Sequence, residues 1–257
     1  MKKVVLFDMD GTLTPARQKM DQSMIKPIYD LQQSGFEVAI VSGSDFDYIL
    51  EQCDILLDIN PVDQEKIHWM PCNGTKYYTF TNGSFRKQYE LDMKKFMGQA
   101  SYNSLITKLL ESQLSVRYCL GAQNIPLTGT FIQYRGSMIN WCPIGRDATN
   151  SDREEWMAIE KESEIRNSML RRLSAFPVFD MLEVKLGGET SLDIYPCGWD
   201  KTYAWNIFED YEEIYFVGDR CFPKGNDYEA YIKAGPNGYS TTGPNETKRI
   251  ISKILSR

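Results

Sequence analysis

Residues 3–14 read Lys3-Val4-Val5-Leu6-Phe7-Asp8-Met9-Asp10-Gly11-Thr12-Leu13-Thr14. The four apolar residues before Asp8 predict a short strand that is buried on both faces, as the strands of parallel sheets are. Gly11 permits a tight turn soon after this strand ends. Ligands of open parallel sheets bind beyond the carboxyl ends of the strands. Asp8 and Asp10 are therefore the first candidate site residues.

The segments that follow predict an α/β fold. Apolar residues recur at helical spacing between residues 25 and 31, and residues 38–41 form a second apolar run. A strand, a helix and a strand in this order favour a parallel pair with a right-handed crossover. Residues 214–217 form another apolar run, and residues 247–255 suit a final helix. Both ends of the chain are thus expected to build one Rossmann-like core with a parallel sheet.

The middle of the chain has a different pattern. Polar and apolar residues interleave there, as in an antiparallel sheet with one solvated face, in residues 129–133, 138–142, 182–186 and 192–195. The strongly charged residues 152–172 predict a solvent-facing helix over one side of that sheet. We therefore expect a core of residues 1–86 and 199–257, with an α+β domain inserted at residues 87–198.

Composition and charge argue against several classes of protein. The 257 residues are 42% hydrophobic and 25% charged, which is ordinary for a globular chain. The net charge of −6 argues against nucleic acid or an anionic membrane as the main partner. The apolar run at residues 4–7 is too short for a signal peptide or a membrane span, so we expect a cytoplasmic protein.

Zinc and histidine chemistry are also disfavoured. The six cysteines are scattered without a Cys-x-x-Cys pair, and His68 is the only histidine. We interpret the cysteines as free thiols of a reducing compartment. A zinc site built from cysteine and histidine is therefore not expected, and neither is a histidine base.

The acidic residues near strand ends suit a hard cation. Side chains two residues apart in an extended chain point to one side, so Asp8 and Asp10 would repel each other unless a cation or a proton lies between them. Asp219 follows the predicted strand at residues 214–217, and Asp227 lies shortly beyond it. Carboxylate oxygens suit Mg²⁺ better than a soft metal. The alternative interpretation is that Asp8 and Asp10 only form or cap a turn.

The complete string of residues 7–14, placed after a buried strand, resembles the signature of the haloacid dehalogenase superfamily. The resemblance implies that Asp8 attacks phosphorus and becomes an aspartyl phosphate, while Asp10 acts as the general acid and base. It also implies a Mg²⁺ ion held by Asp8, the Asp10 carbonyl and Asp219, with Asp227 in the same metal motif.

Two further motifs fit this superfamily. Lys201, in Gly198-Trp199-Asp200-Lys201, matches the lysine that assists phosphoryl transfer. The second motif is normally a serine or threonine after a strand, and both Ser42 and Ser44 fit it. Because a carboxylate is a weak nucleophile, such a site works mainly by positioning its groups and neutralising charge.

A series of motifs spread over nearly the whole chain resembles the eukaryotic-type phosphomannomutases more narrowly. In chain order they are residues 14–19, 42–46, 73–74, 129–132, 143–146, 193–201 and 218–227. The resemblance implies interconversion of hexose 6-phosphate and hexose 1-phosphate, with mannose preferred over glucose, through a hexose 1,6-bisphosphate that also serves as activator. The alternative is a magnesium-dependent sugar phosphatase of the same superfamily.

The same resemblance implies roles for residues of the inserted domain, which becomes a mobile substrate-binding cap. Arg135 and Arg146 match its phosphate-binding arginines, Ser191 and Asp193 match residues that contact the substrate, and Arg17 matches an arginine at the entrance of the core. Guanidinium groups suit phosphate because they bind it bidentately. The resemblance also implies a homodimer formed through the caps.

Three positions depart from the family pattern. Thr128 precedes Gly129 where the family usually has an arginine, Cys72 replaces a glutamate, and Lys233 stands where a carboxylate of a second cation site is expected. The missing arginine predicts a weaker hold on the bisphosphate, while the phosphoryl-transfer residues are unchanged.

Overall fold

The computed structural model describes residues 2–58, 63–119 and 125–257. The chain divides into two compact units, of which the first comprises Met1–Glu90 with Trp199–Arg257 and the second comprises Leu91–Gly198. The first crossing between the units lies four residues after the expected boundary at residue 86. The reason is that a strand still pairs in the sheet of the first unit up to Glu90.

The first unit contains the strands β1 (Lys3–Phe7), β2 (Phe36–Val41), β3 (Ile67–Met70), β4 (Lys76–Thr81), β5 (Ser84–Glu90), β10 (Glu213–Gly218) and β11 (Gly238–Ser240). The second unit contains β6 (Ile132–Tyr134), β7 (Ile139–Trp141), β8 (Leu182–Gly187) and β9 (Ser191–Pro196). The α-helices are α1 (Ile25–Gln33), α2 (Phe46–Cys53), α3 (Ile55–Asp58), α4 (Met93–Met97), α5 (Gln99–Cys119), α6 (Asn150–Ser163), α7 (Ile165–Leu173), α8 (Tyr228–Ala234) and α9 (Pro244–Leu255).

The sheet of the first unit has the order β11-β10-β1-β2-β3-β4-β5. The strands from β11 to β3 are parallel, and β4 and β5 continue the sheet as an antiparallel hairpin. The predicted α/β core with a mainly parallel sheet is confirmed. The hairpin was not predicted, because its residues are only partly buried and lack the continuous apolar run of the parallel strands.

Strand β1 is the middle one of the five parallel strands, and residues 4–7 have no exposed surface. Val5 and Phe7 pack in the apolar cluster that contains α1 and α9, while Val4 and Leu6 pack in the cluster on the other face, with Ala204. Alternate side chains of a strand point to opposite faces, so one short strand contributes to both layers. Burial of each such side chain stabilises the fold by about 1.5–3 kcal/mol.

The second unit is built on an antiparallel sheet of order β6-β7-β9-β8, which confirms the predicted α+β domain. The predicted single helix over residues 152–172 was wrong. Glu164 adopts a left-handed conformation with φ of 47° and separates α6 from α7. The strand that was predicted at residues 129–133 begins only at Ile132. The reason is that Gly129 and Thr130 have positive φ angles, which a strand does not allow.

Within the three described ranges, no helix combines the length and the apolar character that crossing a membrane requires.

A hydrogen-bonded cluster at the amino-terminal end of the parallel strands contributes to stability. His68 Nε2 lies 2.6 Å from Glu37 Oε2, and the Tyr211 hydroxyl donates to the same oxygen at 2.6 Å. On the other side of the ring, His68 Nδ1 lies 2.7 Å from the Tyr77 hydroxyl. The hydrogen bond with His68, assisted by Tyr211, lowers the pKa of Glu37 below its ordinary value of 4.5.

We expect Glu37→Gln to destabilise the protein at pH 7 by about 1–3 kcal/mol, since it removes a charged acceptor from a partly buried cluster. A carboxyl whose pKa is lowered by folding stabilises the fold above its unfolded pKa and loses that effect as pH falls through its folded pKa. The difference between wild type and Glu37→Gln in free energy of unfolding should therefore shrink below pH 4.5. Chemical denaturation from pH 7 to 3 measures it, with Glu154→Gln, an exposed carboxylate of α6, as the control. A constant difference over this range would contradict the prediction.

Candidate active site

The parallel strands bring the candidate residues to one edge of the sheet. Phe7 is in register with Val217 of β10 on one side and with Ile40 of β2 on the other. Asp8 follows β1 directly and donates its backbone N–H to the Val217 carbonyl at 2.9 Å. Asp219 follows β10, and Ser42 follows β2, so three strand ends meet at this edge.

Lys201 lies at the centre of the site and is 1% exposed. Its Nζ donates to Asp227 Oδ1 at 2.6 Å and also to Asp8 Oδ1. A 3₁₀ helix over Lys201–Ile207 holds the lysine, and Asp200 caps that helix by accepting from the Thr202 N–H at 2.7 Å. The structure therefore brings the predicted lysine and the predicted nucleophile into direct contact.

Asp8, Asp219 and Asp227 form a cluster of carboxylates. Each offers an oxygen that lies within 4.8 Å of the oxygens of the other two. Two glycines make room for them, since a Cβ on Gly11 would lie 2.6 Å from Asp219 Oδ2 and one on Gly218 would lie 2.7 Å from Asp227. Lys201 contacts Asp8 and Asp227, and Arg220 Nε lies 3.8 Å from Asp219 Oδ2, so three carboxylates meet two cationic side chains and carry one formal charge in excess when all are ionised. This residue set fits a divalent cation with oxygen ligands.

The pKa values of the cluster follow from its burial. Burial raises the pKa of Asp8 well above its ordinary value, although the charge of Lys201 opposes this. Burial and the neighbouring Asp227 raise the pKa of Asp219 to about 6. Burial is the larger cause of both shifts, and repulsion between the carboxylates, which a cation would relieve, adds to them.

Asp10 lies apart from the three clustered carboxylates. Its Oδ1 accepts from the Arg17 backbone N–H at 2.8 Å and from the Tyr48 hydroxyl at 3.3 Å. Burial raises the pKa of Asp10 above its ordinary value, although these two donors oppose the shift. The side chain of Arg17 is exposed, beside a left-handed backbone with φ of 59°.

Ser42 and Ser44 occupy the same short loop after β2. Ser42 is buried, and its Oγ accepts from the Ser44 N–H at 3.1 Å. Cys72 and Asn73, which follow β3, donate their backbone N–H groups to the carbonyls of Ser44 and Ser42. The structure thus keeps both predicted serines at the same edge of the sheet as Asp8.

In the second unit, the substrate-binding candidates belong to a polar network on the antiparallel sheet. Arg146 Nη1 donates to Asn140 Oδ1 at 2.8 Å, and Asn140 Nδ2 donates to Asp193 Oδ1 at 2.7 Å. Arg135 Nε donates to Gln133 Oε1 at 3.1 Å. Asn140 and Asp193 pair across β7 and β9, so the sheet register brings these groups together.

Sequence reasoning missed Asn140 and two buried arginines that support this network. Arg153 donates to the Arg146 carbonyl at 3.1 Å and to Thr190 Oγ1 at 2.8 Å. Arg166 donates to the Ser191 carbonyl at 3.3 Å. The position of Arg153, in a helix rich in charged residues, resembles that of a solvated side chain, and sequence spacing alone gives no signal of its burial.

Two of the departing positions have local partners. Thr128 Oγ1 donates to the Ile144 carbonyl at 2.9 Å, so its side chain closes the loop before Arg146. Lys233 Nζ donates to the Thr202 carbonyl at 3.3 Å and lies 5.4 Å from the centre of the Trp205 ring. The ammonium of Lys233 therefore lies against the 3₁₀ helix that begins at Lys201.

Comparisons with known proteins found a matching family and several similar chains. A family model described as eukaryotic phosphomannomutase matches residues 24–257. The phosphomannomutase of Spinacia oleracea is 33% identical, over 98% of this chain and 95% of its own length. That of Saccharomyces cerevisiae is 34% identical, over 98% and 94%. A solved structure of truncated, IMP-bound IMP-nucleotidase from Plasmodium falciparum has a TM-score of 0.62 with 14% identity, covers 99% of this chain and 68% of that one, and supports the fold alone.

We expect divalent cation binding to weaken at acid pH. Protons compete with the cation for Asp219, whose pKa is about 6, so affinity should fall about tenfold for each pH unit below 6. Calorimetry with Mg²⁺ and Mn²⁺ between pH 5 and 7.5 measures this directly. Asp219→Asn should weaken binding tenfold or more at pH 7.5, whereas Asp210→Asn, an exposed carboxylate of the same unit, should not. Equal affinities for wild type and Asp219→Asn would contradict the assignment.

Proposed function

The chain belongs to the eukaryotic phosphomannomutase family, and on that premise we propose that it interconverts hexose 6-phosphate and hexose 1-phosphate, with mannose preferred over glucose. The observation that carries the proposal is the buried contact of Lys201 with Asp8 at the end of β1. This contact places a cation beside a carboxylate that is suited to attack a phosphoryl group. The activity would belong to mannose metabolism, on the route to GDP-mannose, in the cytoplasm.

In the proposed reaction, an oxygen of Asp8 attacks phosphorus while the bond from phosphorus to the sugar oxygen breaks. Asp10 gives its proton to the departing sugar oxygen, which its raised pKa favours. In the return step, Asp10 takes a proton from the attacking sugar hydroxyl, and the bond from phosphorus to Asp8 breaks. Lys201 and the hydroxyl groups of Ser42 and Ser44 hold phosphoryl oxygens throughout.

We propose Mg²⁺ as the cation, held by the carboxylates of Asp8, Asp219 and Asp227 and by the Asp10 carbonyl. When bound, it supplies positive charge that neutralises the phosphoryl oxygens. The clustering of three carboxylate side chains, which outnumber the neighbouring cations Lys201 and Arg220, supports the assignment.

A mutase must keep its hexose 1,6-bisphosphate while the sugar reverses its orientation. We propose that Arg135 and Arg146 bind the phosphate that is not reacting, that Ser191 and Asp193 contact the sugar, and that Arg17 binds substrate at the entrance of the core. The network through Asn140 supports this, because it fixes Arg146 and Asp193 relative to each other. With Thr128 in place of an arginine, some bisphosphate should escape, and added hexose 1,6-bisphosphate should activate the enzyme.

The alternative is a sugar phosphatase, in which water takes the phosphoryl group from Asp8. The relatives described above are named phosphomannomutases, and this favours the mutase.

We also propose a homodimer formed through the second unit. Exposed Leu110 and Leu114 on α5 support it, as does a groove of about 670 Å³ between α5 and β6.

Asp8→Asn should lower turnover by about a thousandfold or more, because it keeps the side-chain shape but removes the charge of the nucleophile. The measurement is a coupled assay with mannose 1-phosphate and with glucose 1-phosphate, at increasing concentrations of hexose 1,6-bisphosphate. With the wild-type protein, the expected products are the corresponding hexose 6-phosphates. Free sugar and inorganic phosphate as the only products would replace the mutase with the phosphatase.

Arg146→Ala should raise the KM for mannose 1-phosphate about tenfold to a hundredfold, since a charge-assisted hydrogen bond contributes roughly 1.5–3 kcal/mol. In the same variant, the rate at which acetyl phosphate phosphorylates Asp8 should change little, because acetyl phosphate has no second phosphate for Arg146 to bind. The matched control is Arg171→Ala, an exposed arginine of α7 in the same unit, which should leave both reactions unchanged. Equal losses with both phosphoryl donors would assign Arg146 to folding of the second unit instead.

A further inference from the structure

The turn after β3 contains three consecutive residues in the left-handed region. The φ angles of Cys72, Asn73 and Gly74 are 51°, 64° and 83°. Glycine adopts this conformation freely and asparagine tolerates it, but a cysteine does so at a cost in free energy. All three residues are buried. Surrounding contacts must therefore hold the turn in this shape.

One set of contacts joins the turn to the loop that carries the candidate serines. The Cys72 N–H donates to the Ser44 carbonyl at 2.9 Å, and the Asn73 N–H donates to the Ser42 carbonyl at 2.8 Å. Two successive backbone donors of the turn thus fix both ends of residues 42–44.

A second set joins the turn to the segment that carries Lys201. Asn73 Nδ2 donates to the Trp199 carbonyl at 3.3 Å, two residues before the lysine. Gly74 packs against the 3₁₀ helix itself, since a Cβ on Gly74 would lie 3.1 Å from the Ala204 backbone. Asn73 is the residue that reaches both sides, with its backbone to Ser42 and its side chain to Trp199.

The turn also forms hydrogen bonds with residues next to the two points at which the chain passes from one unit to the other. The Tyr89 hydroxyl donates to the Gly74 carbonyl, one residue before the chain leaves the first unit at Glu90. Trp199, which accepts from Asn73, is the first residue after the chain returns. Both attachments lie within the first unit, on the same three-residue turn.

We propose that Asn73 is a positioning residue for phosphoryl transfer, which sets Lys201 and residues 42–44 at a fixed separation around Asp8. This inference rests on the proposed function, in which these groups hold the phosphoryl oxygens. Among the described residues, no hydrogen bond joins Asn73 to Asp8. Asn73 acts instead through its hydrogen bonds to the Ser42 and Trp199 carbonyls. Its loss should therefore slow the chemical step more than it weakens binding.

The test is a rapid-quench measurement of Asp8 phosphorylation by glucose 1,6-bisphosphate in the full-length protein. Asn73→Gly permits the same left-handed backbone and removes the side chain together with its Nδ2 donor. We expect its phosphorylation rate to fall about tenfold to a hundredfold, the range for a small misplacement of reacting groups. The concentration of bisphosphate that gives half the maximal rate should change less than about threefold, which separates positioning from binding.

The matched control is Asn82→Gly, since Asn82 also has a left-handed backbone, with φ of 53°, but lies in the exposed turn between β4 and β5. Its phosphorylation rate should equal that of wild type. Asn73→Asp keeps the side-chain shape and replaces the donor with an acceptor, so it should be at least as slow as Asn73→Gly. Thermal melting of each variant confirms that the measured protein is folded.

A wild-type rate in Asn73→Gly or in Asn73→Asp would overturn the positioning role, as would an equal loss in Asn82→Gly. If wild type is phosphorylated but releases only free sugar and phosphate, the mutase proposal fails while the comparison of variants still decides the role of Asn73. A wild-type protein that accepts no phosphoryl group on Asp8 overturns both proposals.

Discussion

Lys201 holds its ammonium group between the carboxylates of Asp8 and Asp227, away from solvent. Charges buried in this way are strongly coupled, because removal of one partner leaves the others unpaired in a medium of low dielectric constant. The rest of the first unit supports this contact. Parallel strands bring their carboxyl ends to one edge, glycines leave room beside the acids, and the turn after β3 braces the segment that carries the lysine.

In the second unit, a neutral amide group lies between charged side chains. Asn140 both accepts from Arg146 and donates to Asp193, so it connects a cation to an anion through one amide group. Amide groups can do this because they carry a donor and an acceptor on one planar group. The buried guanidinium of Arg153 then fixes the backbone of Arg146. An arginine fixed in this way loses less conformational entropy when it binds phosphate.

The sequence predicted what depends on local pattern. Residues 4–7 were expected to form a buried strand that ends at Asp8, and β1 does so. The break at Glu164 could not be predicted, since a charged residue in a charged segment gives no sign of a left-handed backbone. The contacts of Asn73 and Arg153 could not be predicted from the sequence either, because they are tertiary contacts. Asn73, for example, lies 126 residues from its partner Trp199.

The position of β1 between β10 and β2 has a consequence for synthesis on the ribosome. One neighbour of β1 is β2, but the other is β10, which leaves the ribosome only after the whole of the second unit. Domains generally fold in the order in which they emerge. The nascent chain must therefore carry an incomplete first unit, with one side of β1 unpaired, while the interrupting segment can already fold. During this interval the unpaired edge of β1 can pair with strands of other chains.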